Sequence, residues 1–211
     1  MNAVQKILEE KVHAVIRVAD PERVIEIATA VNKAGINTVE IIIQNSEIID
    51  VIHYLNSTAN LTIMAGGIIT QRQAQTAINA GASVIVSPIF QMNLVRLCQS
   101  NKLPLIMSAT TPNEAYSAWK ARTPLIKIYP TTPMGGAMYI EDMLRPMPFL
   151  NVIATGSIKI DDVVDYLKAG AKAVGIGRNL YQDANAEEIE FRAKRLIQLV
   201  NDYKQSLNNE Q

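Results

Sequence analysis

The sequence has few of the residues that build disulfide frameworks and metal centres. Among its 211 residues there are one cysteine, Cys98, and two histidines, His13 and His53. A single cysteine excludes an intrachain disulfide and is compatible with the cytosol. So few histidine and cysteine ligands also argue against a His/Cys metal cluster, and we predict no metal site.

Net charge and long apolar runs are lacking as well. Twenty Lys and Arg residues balance twenty Asp and Glu residues, so the formal net charge is zero. This balance gives no electrostatic case for nucleic acid or an anionic membrane surface as a partner. No run approaches the roughly 18 apolar residues of a membrane span, and residues 1–20 show no signal-peptide pattern. We therefore expect a cytoplasmic protein with a small-molecule ligand.

Apolar residues, in contrast, are abundant and regularly spaced. Hydrophobic residues make up 48% of the chain, enough for a sizeable core. Segments rich in Val and Ile begin at eight points, namely Ala14, Thr38, Leu61, Ser83, Leu103, Pro124, Asn151 and Ala173. Stretches with helical periodicity separate them. Eight strand–helix units predict an α/β fold, a single (β/α)₈ TIM barrel over residues 1–211. The competing doubly wound sheet usually has fewer strands and a glycine-rich turn after the first strand, where this chain has ADPERV.

The ends of the predicted helices and of the chain can also be read from composition. Gly35, Gly81 and Gly170 each follow a helical stretch and precede a strand, as expected of glycines that stop helices in the left-handed conformation. Residues 1–11 are predicted to form an extra N-terminal helix. Residues 201–211 are polar, and we expect this tail to fray after the last helix.

Two charged residues interrupt the predicted strands at positions that point into the barrel. Period-two alternation sends Lys127 to the same face as Leu125 and Tyr129, while the flanking isoleucines face the helices. The same rule turns Glu40 inward on the second strand. Burial disfavours the charged form of a lysine, so an inward lysine can act as an amine nucleophile. These two residues are the candidate catalytic pair.

A candidate anion site lies at the ends of other strands. Arg17 interrupts the first strand, and an inward Arg17 would suit an anionic substrate. The last two strands end in Thr155-Gly156-Ser157 and in Gly177-Arg178, at the loops where many barrels bind phosphate. We predict phosphate binding there. A serine–histidine–aspartate hydrolase is disfavoured, because His13 begins the first strand at the barrel floor and His53 lies in a helical stretch.

Several of these segments together resemble the 2-keto-3-deoxy-6-phosphogluconate (KDPG) and 4-hydroxy-2-oxoglutarate (KHG) aldolase family. The motifs are AVIR, VEIII, SPIF, SATTPNEA, IKIYP and ATGSI, in this order between about residues 12 and 181. The resemblance implies a class I aldolase in which Lys127 forms a Schiff base with a keto group and Glu40 shuttles protons. It also implies substrate contacts from Pro88, Thr111 and Thr155, a homotrimer, and chemistry that needs no cofactor because the iminium is the electron sink.

The chain departs from the family pattern at four positions around the expected substrate. Gln44 stands where well-known members have the arginine that binds the substrate carboxylate, and Arg17 is placed to take over that contact. Gly67 replaces a threonine that helps to hold the pyruvyl group, and Thr131 falls within a changed Pro-Ala-Glu motif. Arg178 replaces a phosphate-binding serine, and its charge makes it a better partner for phosphate. These changes leave the exact 2-keto acid open.

Two other functions fit parts of the same pattern. An epimerase of a phosphorylated amino sugar, similar to the N-acetylmannosamine-6-phosphate epimerases, would share the small phosphate-binding barrel and its inward lysine and glutamate. A non-catalytic phosphosugar-binding barrel would explain the lost threonine and arginine, but it has no evident need for a desolvated amine. Only the aldolase should form a reducible imine with pyruvate.

Overall fold

The strands of the protein form one closed parallel barrel in which neighbours in sequence are neighbours in space. The computed structural model describes residues 1–209. The strands are β1 (Val12–Ile16), β2 (Thr38–Ile42), β3 (Thr62–Gly66), β4 (Val84–Ser87), β5 (Leu105–Ala109), β6 (Ile126–Ile128), β7 (Val152–Thr155) and β8 (Ala173–Ile176). β8 closes the ring by pairing with β1, with Val12 opposite Val174. This arrangement confirms the predicted (β/α)₈ barrel.

The helices cover the outside of the barrel. They are α1 (Ala3–Glu10), α2 (Pro21–Ala34), α3 (Glu47–Thr58), α4 (Gln71–Asn79), α5 (Met92–Ser100), α6 (Pro112–Lys120), α7 (Ala137–Leu144), α8 (Val163–Lys168), α9 (Arg178–Tyr181) and α10 (Ala186–Asn209). Local sequence fixes their ends. Asp20 caps α2 by accepting the Glu22 N–H, and Gly35 ends it at φ +109°. None of these helices is long and apolar enough to cross a membrane.

The strands divide their side chains between two separate apolar clusters. Outward residues such as Ala14 and Ile16 pack with the helices in the larger cluster. The smaller cluster fills the lower part of the barrel interior. It contains Ile7, Met64, Val84, Val86, Ile106, Leu125, Ile153 and Ala173. Ile7 belongs to α1, so the predicted N-terminal helix is confirmed and closes the floor of the barrel.

The C-terminal segment differs from its prediction. The sequence predicts that the polar residues 201–211 fray, but α10 continues without interruption to Asn209. The reason is that the helix keeps one apolar face, with Val200 buried and Tyr203 packed against the main core. The Tyr203 hydroxyl also donates to the Leu167 carbonyl at 3.4 Å. Residues 210 and 211 of the predicted tail lie outside the described residues.

Candidate active site

A buried ion pair joins opposite sides of the barrel. Lys127 is the middle residue of β6, and its Nζ donates to both carboxylate oxygens of Glu40 on β2 at 2.7 Å. β2 and β6 lie four positions apart in the ring of eight strands, so the pair spans the interior. Lys127 is 7% exposed and Glu40 is 1% exposed. Alternation along the strands therefore places both candidate catalytic residues inward, as predicted.

The charges of the two residues depend on each other. Burial of Glu40 opposes its ionisation, but the charge of Lys127, together with the nearby His13, outweighs burial and lowers the pKa of Glu40 to about 2. Glu40 is therefore a carboxylate at neutral pH, and it accepts two hydrogen bonds from the lysine. A proton that leaves Lys127 before a nucleophilic attack has Glu40 as its acceptor within hydrogen-bond distance.

Two glycines make room for the polar groups inside the barrel. A Cβ on Gly66 would lie 2.6 Å from Glu40 Oε1 and 2.5 Å from Ile42 Cδ1. A Cβ on Gly175 would lie 2.5 Å from His13 Nε2. Neither glycine has a positive φ angle, so space rather than backbone conformation requires glycine at these strand positions.

His13 is a residue of the site that the sequence analysis missed. It is 1% exposed, and its Nε2 lies 3.6 Å from Glu40 Oε2, which is too long for a hydrogen bond. Burial lowers the pKa of His13 despite the Glu40 carboxylate, so the ring is neutral at neutral pH. The signal was present, because His13 has the same inward parity as Val15 and Arg17.

A cavity of about 540 Å³ opens above Lys127 at the carboxyl ends of the strands. It brings together seven of the residues predicted to act or to bind substrate, namely Arg17, Lys127, Thr155, Gly156, Ser157, Gly177 and Arg178. The backbone N–H of Arg17 donates to the Tyr181 hydroxyl at 3.1 Å, and this hydrogen bond holds the main chain where it leaves β1. Thr155 is buried, and its hydroxyl has no hydrogen-bond partner within residues 1–209.

The cavity is positively charged. Arg17, Lys159 and Arg178 line it, and its lining, as described for residues 1–209, includes no aspartate or glutamate. Lys159 was not predicted, because it lies in an irregular loop where no periodicity assigns a direction to its side chain. Three cations in addition to Lys127 suit a ligand with several negative charges, such as a phosphorylated carboxylic acid.

The loop after β7 is held close to its neighbours. Gly156 has φ +114°, and a Cβ there would lie 2.8 Å from Pro130 Cα, so only glycine fits beside the loop after β6. The next residue, Ser157, has φ +58°. Asn179 Nδ2 donates to the Ile158 carbonyl at 2.7 Å and so connects this loop to α9. The two predicted phosphate-binding segments are thereby adjacent.

Four predicted substrate contacts lie outside this cavity. Gln44 and Pro88 are exposed beyond the ends of β2 and β4, and Gly67 follows β3 with φ +78°. The Thr111 hydroxyl donates to the Glu114 carboxylate at 3.0 Å and accepts the Glu114 N–H at 3.4 Å. It therefore caps α6. Within the described residues, no group of three or more His, Cys, Asp and Glu side chains is placed to hold a metal ion.

Comparison with known proteins gives consistent matches. Residues 4–193 match the family described as KDPG and KHG aldolase. The chain is 26% identical to the 2-dehydro-3-deoxy-phosphogluconate aldolase of Haemophilus influenzae, over 93% of this chain and 96% of that protein. It is 23% identical to the 2-dehydro-3-deoxy-6-phosphogalactonate aldolase of Escherichia coli, over 92% of this chain and 95% of that protein. The crystal structure of KDPG aldolase from Legionella pneumophila, with pyruvate captured as a covalent carbinolamine, has a TM-score of 0.78 at 22% identity, over 94% and 96% respectively.

Proposed function

Because the chain belongs to the KDPG and KHG aldolase family, whose members are carbon–carbon lyases, we propose that it is a class I aldolase with Lys127 as its Schiff-base residue. Its proposed substrate is a 2-keto-3-deoxy-6-phospho sugar acid, cleaved to pyruvate and glyceraldehyde 3-phosphate. Cleavage of 4-hydroxy-2-oxoglutarate to pyruvate and glyoxylate is a second proposed activity. The observation that carries the proposal is the buried Lys127–Glu40 pair beneath a cation-lined cavity.

Imine formation begins with the ion pair. Lys127 passes a proton to Glu40, and the free amine attacks the C2 ketone to form a carbinolamine. Glu40 returns a proton to the carbinolamine oxygen, and water leaves as the nitrogen forms the iminium. The carbinolamine of pyruvate held by the Legionella pneumophila enzyme is the intermediate expected at this stage.

Cleavage uses the same two residues. Glu40 takes the proton of the C4 hydroxyl, the C3–C4 bond breaks, and its electrons move into the iminium to give the neutral enamine of pyruvate. The aldehyde leaves, and Glu40 delivers its proton to C3. Hydrolysis of the resulting iminium releases pyruvate and restores the ion pair. The iminium accepts the electron pair of the broken C3–C4 bond, and protonation of the enamine returns that pair to C3, so no cofactor is needed to hold the electrons.

The cations of the cavity support a substrate with two anionic ends. We propose that Arg178 and Lys159 bind the phosphate beside Gly156, Ser157 and Gly177, and that Arg17 binds the carboxylate. The Thr155 hydroxyl, buried and unpartnered within residues 1–209, is a proposed substrate contact. Contacts from Gln44, Gly67, Pro88 and Thr111 stay predictions, as does the homotrimer, which light scattering in solution would test.

The test is reduction in the presence of pyruvate. The protein is incubated with saturating pyruvate and borohydride and weighed intact, and the modified peptide is then mapped. We expect one carboxyethyl group per chain, on Lys127, and none in the Lys127→Met variant. A folded wild-type protein that gains no adduct would contradict the proposal and would favour the epimerase or the phosphosugar-binding barrel.

A further inference from the structure

His13 lies beside the carboxylate of Glu40, which also accepts both hydrogen bonds from Lys127. β1 is the neighbour of β2 in the barrel, and Val15 pairs with Glu40. His13 Nε2 faces Glu40 Oε2 at 3.6 Å, and neither ring nitrogen has a hydrogen-bond partner within residues 1–209. A neutral imidazole carries one N–H donor and one acceptor, so a buried ring with neither satisfied is costly to the fold.

The barrel is nevertheless shaped around this ring. Gly175 on the adjacent β8 has no side chain where a Cβ would lie 2.5 Å from His13 Nε2 and 2.7 Å from Cε1. The cluster that fills the lower interior is apolar, so an aliphatic side chain would suit this region better than an unpartnered imidazole. A polar ring that folding does not favour, next to the reacting carboxylate, points to a role in the reaction.

The reaction itself removes hydrogen-bond donors from Glu40. In the resting site, two of the three N–H groups of Lys127 are directed at the carboxylate. The iminium keeps one N–H, and the enamine nitrogen is neutral, so the lysine can no longer hold both oxygens. His13 is a further potential donor beside the carboxylate at 3.6 Å, and a shift of roughly half an ångström would bring it within hydrogen-bond distance.

We propose that His13 is a positioning residue that keeps Glu40 oriented and ionised while Lys127 is bound covalently to substrate. Its Nε2–H donates to Glu40 Oε2 at that stage, so the carboxylate keeps one donor from the barrel floor and remains a base. This inference rests on the proposed imine chemistry of Lys127.

The charged groups around His13 are consistent with a neutral donor. They are Glu40 from β2, Lys127 from β6 and Glu10 from the end of α1. Glu10 is already engaged, since its carboxylate accepts the N–H groups of Asn37 and Thr38 at 3.2 and 3.0 Å. Burial outweighs the two carboxylates and lowers the pKa of His13, so the ring supplies an N–H without adding a charge.

The test measures the proton transfer between Glu40 and C3, and pyruvate is the only substrate that it requires. Once the pyruvate imine has formed, Glu40 removes a C3 proton to give the enamine and then returns a deuteron when the solvent is D₂O. Loss of the methyl signal in the proton NMR spectrum measures this exchange. It is followed against pH in the wild type, His13→Leu and His13→Gln, the last of which keeps an N–H donor. Thr38→Val is the matched control, because the Thr38 hydroxyl is also buried and unpartnered within residues 1–209.

We expect His13→Leu to form the borohydride-trapped adduct as fully as the wild type but to exchange about tenfold more slowly. The acid limb of its exchange profile should move up by about one pH unit, because a buried Glu40 that has lost a donor is protonated more readily. His13→Gln should restore most of the rate and return the acid limb toward that of the wild type. Thr38→Val should match the wild type.

Thermal stability separates this role from a purely structural one. His13→Leu removes unpartnered polar atoms from the interior, so its Tm should equal or exceed that of the wild type. An unchanged exchange rate and pH profile in His13→Leu would overturn the role of His13 while leaving the aldolase proposal intact. Slow exchange that tracks a lowered Tm and is not rescued by His13→Gln would also overturn it. A wild-type protein without any adduct would remove the aldolase proposal, and the role of His13 with it.

Discussion

At the scale of single residues, the site depends on two charges that are stable only together. A buried ion pair often adds little net stability over apolar residues of the same volume, but removal of one partner leaves an uncompensated charge in the interior. Glu40 is almost completely buried, and Lys127 is the cation within hydrogen-bond distance of it. Substitutions at these two positions should therefore have strongly non-additive effects on stability.

The first prediction concerns that non-additivity. Lys127→Met keeps the length of the side chain but removes the charge, and we expect it to lower the free energy of unfolding by about 3–5 kcal/mol. Adding Glu40→Leu should restore most of the loss, because the unpaired carboxylate is then gone. Urea denaturation of the wild type, both single variants and the double variant closes the cycle. Additive single effects would show that the pair does not couple in the fold.

The second prediction follows from the pKa of Glu40. Its folded value of about 2 lies below the ordinary value of 4.5, so the stabilisation that it provides is complete above the ordinary value. This stabilisation is lost as the pH falls toward 2, and by linkage it is on the order of 3 kcal/mol. The stability of the wild type should therefore fall relative to that of the Lys127→Met/Glu40→Leu variant as the pH is lowered from 5 to about 2. A difference that stays constant over this range would contradict the assigned pKa.

The alternation of side chains between the two faces of a strand predicts some features of the site and not others. Because successive side chains of a strand point to opposite faces, the sequence position assigns each side chain to a face, and this is enough to place Lys127 and Glu40 inside the barrel. It gives no distances, so it could not show that His13 approaches the carboxylate. It also fails beyond strand ends. Gln44 has the parity of Glu40, but β2 ends at Ile42 and Gln44 is exposed.

At the scale of elements, reciprocal capping boxes fix the starts of two helices that follow barrel strands. Thr70 and Gln73 form one at α4, and Thr111 and Glu114 form another at α6. In each, the threonine hydroxyl accepts the N–H three residues later while that residue's side chain accepts the threonine N–H. A threonine after a barrel strand can thus cap the helix that follows, and its hydroxyl is then not free to bind a ligand.

The third prediction separates these two roles for Thr111. Thr111→Ala should lower the free energy of unfolding by about 1 kcal/mol, and Thr70→Ala should do the same at the matched position in α4. Neither variant should change the KM for pyruvate in the exchange reaction, because the hydroxyl of each serves the cap. Chemical denaturation and exchange kinetics measure the two effects. A raised KM in Thr111→Ala but not in Thr70→Ala would restore Thr111 as a substrate contact.

Elements with a strong local signal were predicted well, and one that depends on tertiary packing was not. Gly35, Gly81 and Gly170 all have positive φ angles at helix ends, which confirms the helix stops read from the sequence. The tail was predicted to fray because residues 201–211 are polar. Composition does not show that α10 packs along α2, where Lys33 also pairs with Glu190 at 2.8 Å.

At the scale of the whole molecule, the barrel has a closed floor and an open mouth. α1 contributes Ile7 to the interior cluster, while the cavity with its three cations lies at the opposite end. The spacing of eight strand segments predicted this polarity, because barrel enzymes bind their ligands at the carboxyl ends of the strands. The spacing did not predict which loops approach one another, and this decides the lining of the cavity.

The fourth prediction tests the floor. Ile7→Ala should lower the free energy of unfolding by about 2–5 kcal/mol, because the side chain is fully buried and the barrel around it is closed. Leu8→Ala, at a partly buried position beside the same cluster, should cost less. Pyruvate exchange per folded molecule should stay close to that of the wild type in both variants, since the floor is apart from the cavity. Equal losses of stability in the two variants would show that α1 does not seal the barrel through Ile7.

The Lys127–Glu40 pair spans a diameter of the ring, and this has a consequence for assembly. Its two residues are 87 positions apart in the chain, on strands that lie opposite each other in the ring that β8 closes by pairing with β1. A growing or truncated chain that lacks β8 contains both residues but has no closed ring to hold them at bonding distance. If the proposed pyruvate adduct forms, its reduction by borohydride therefore also measures closure of the barrel. In a refolding protein, Lys127 should become trappable when the barrel closes and not before.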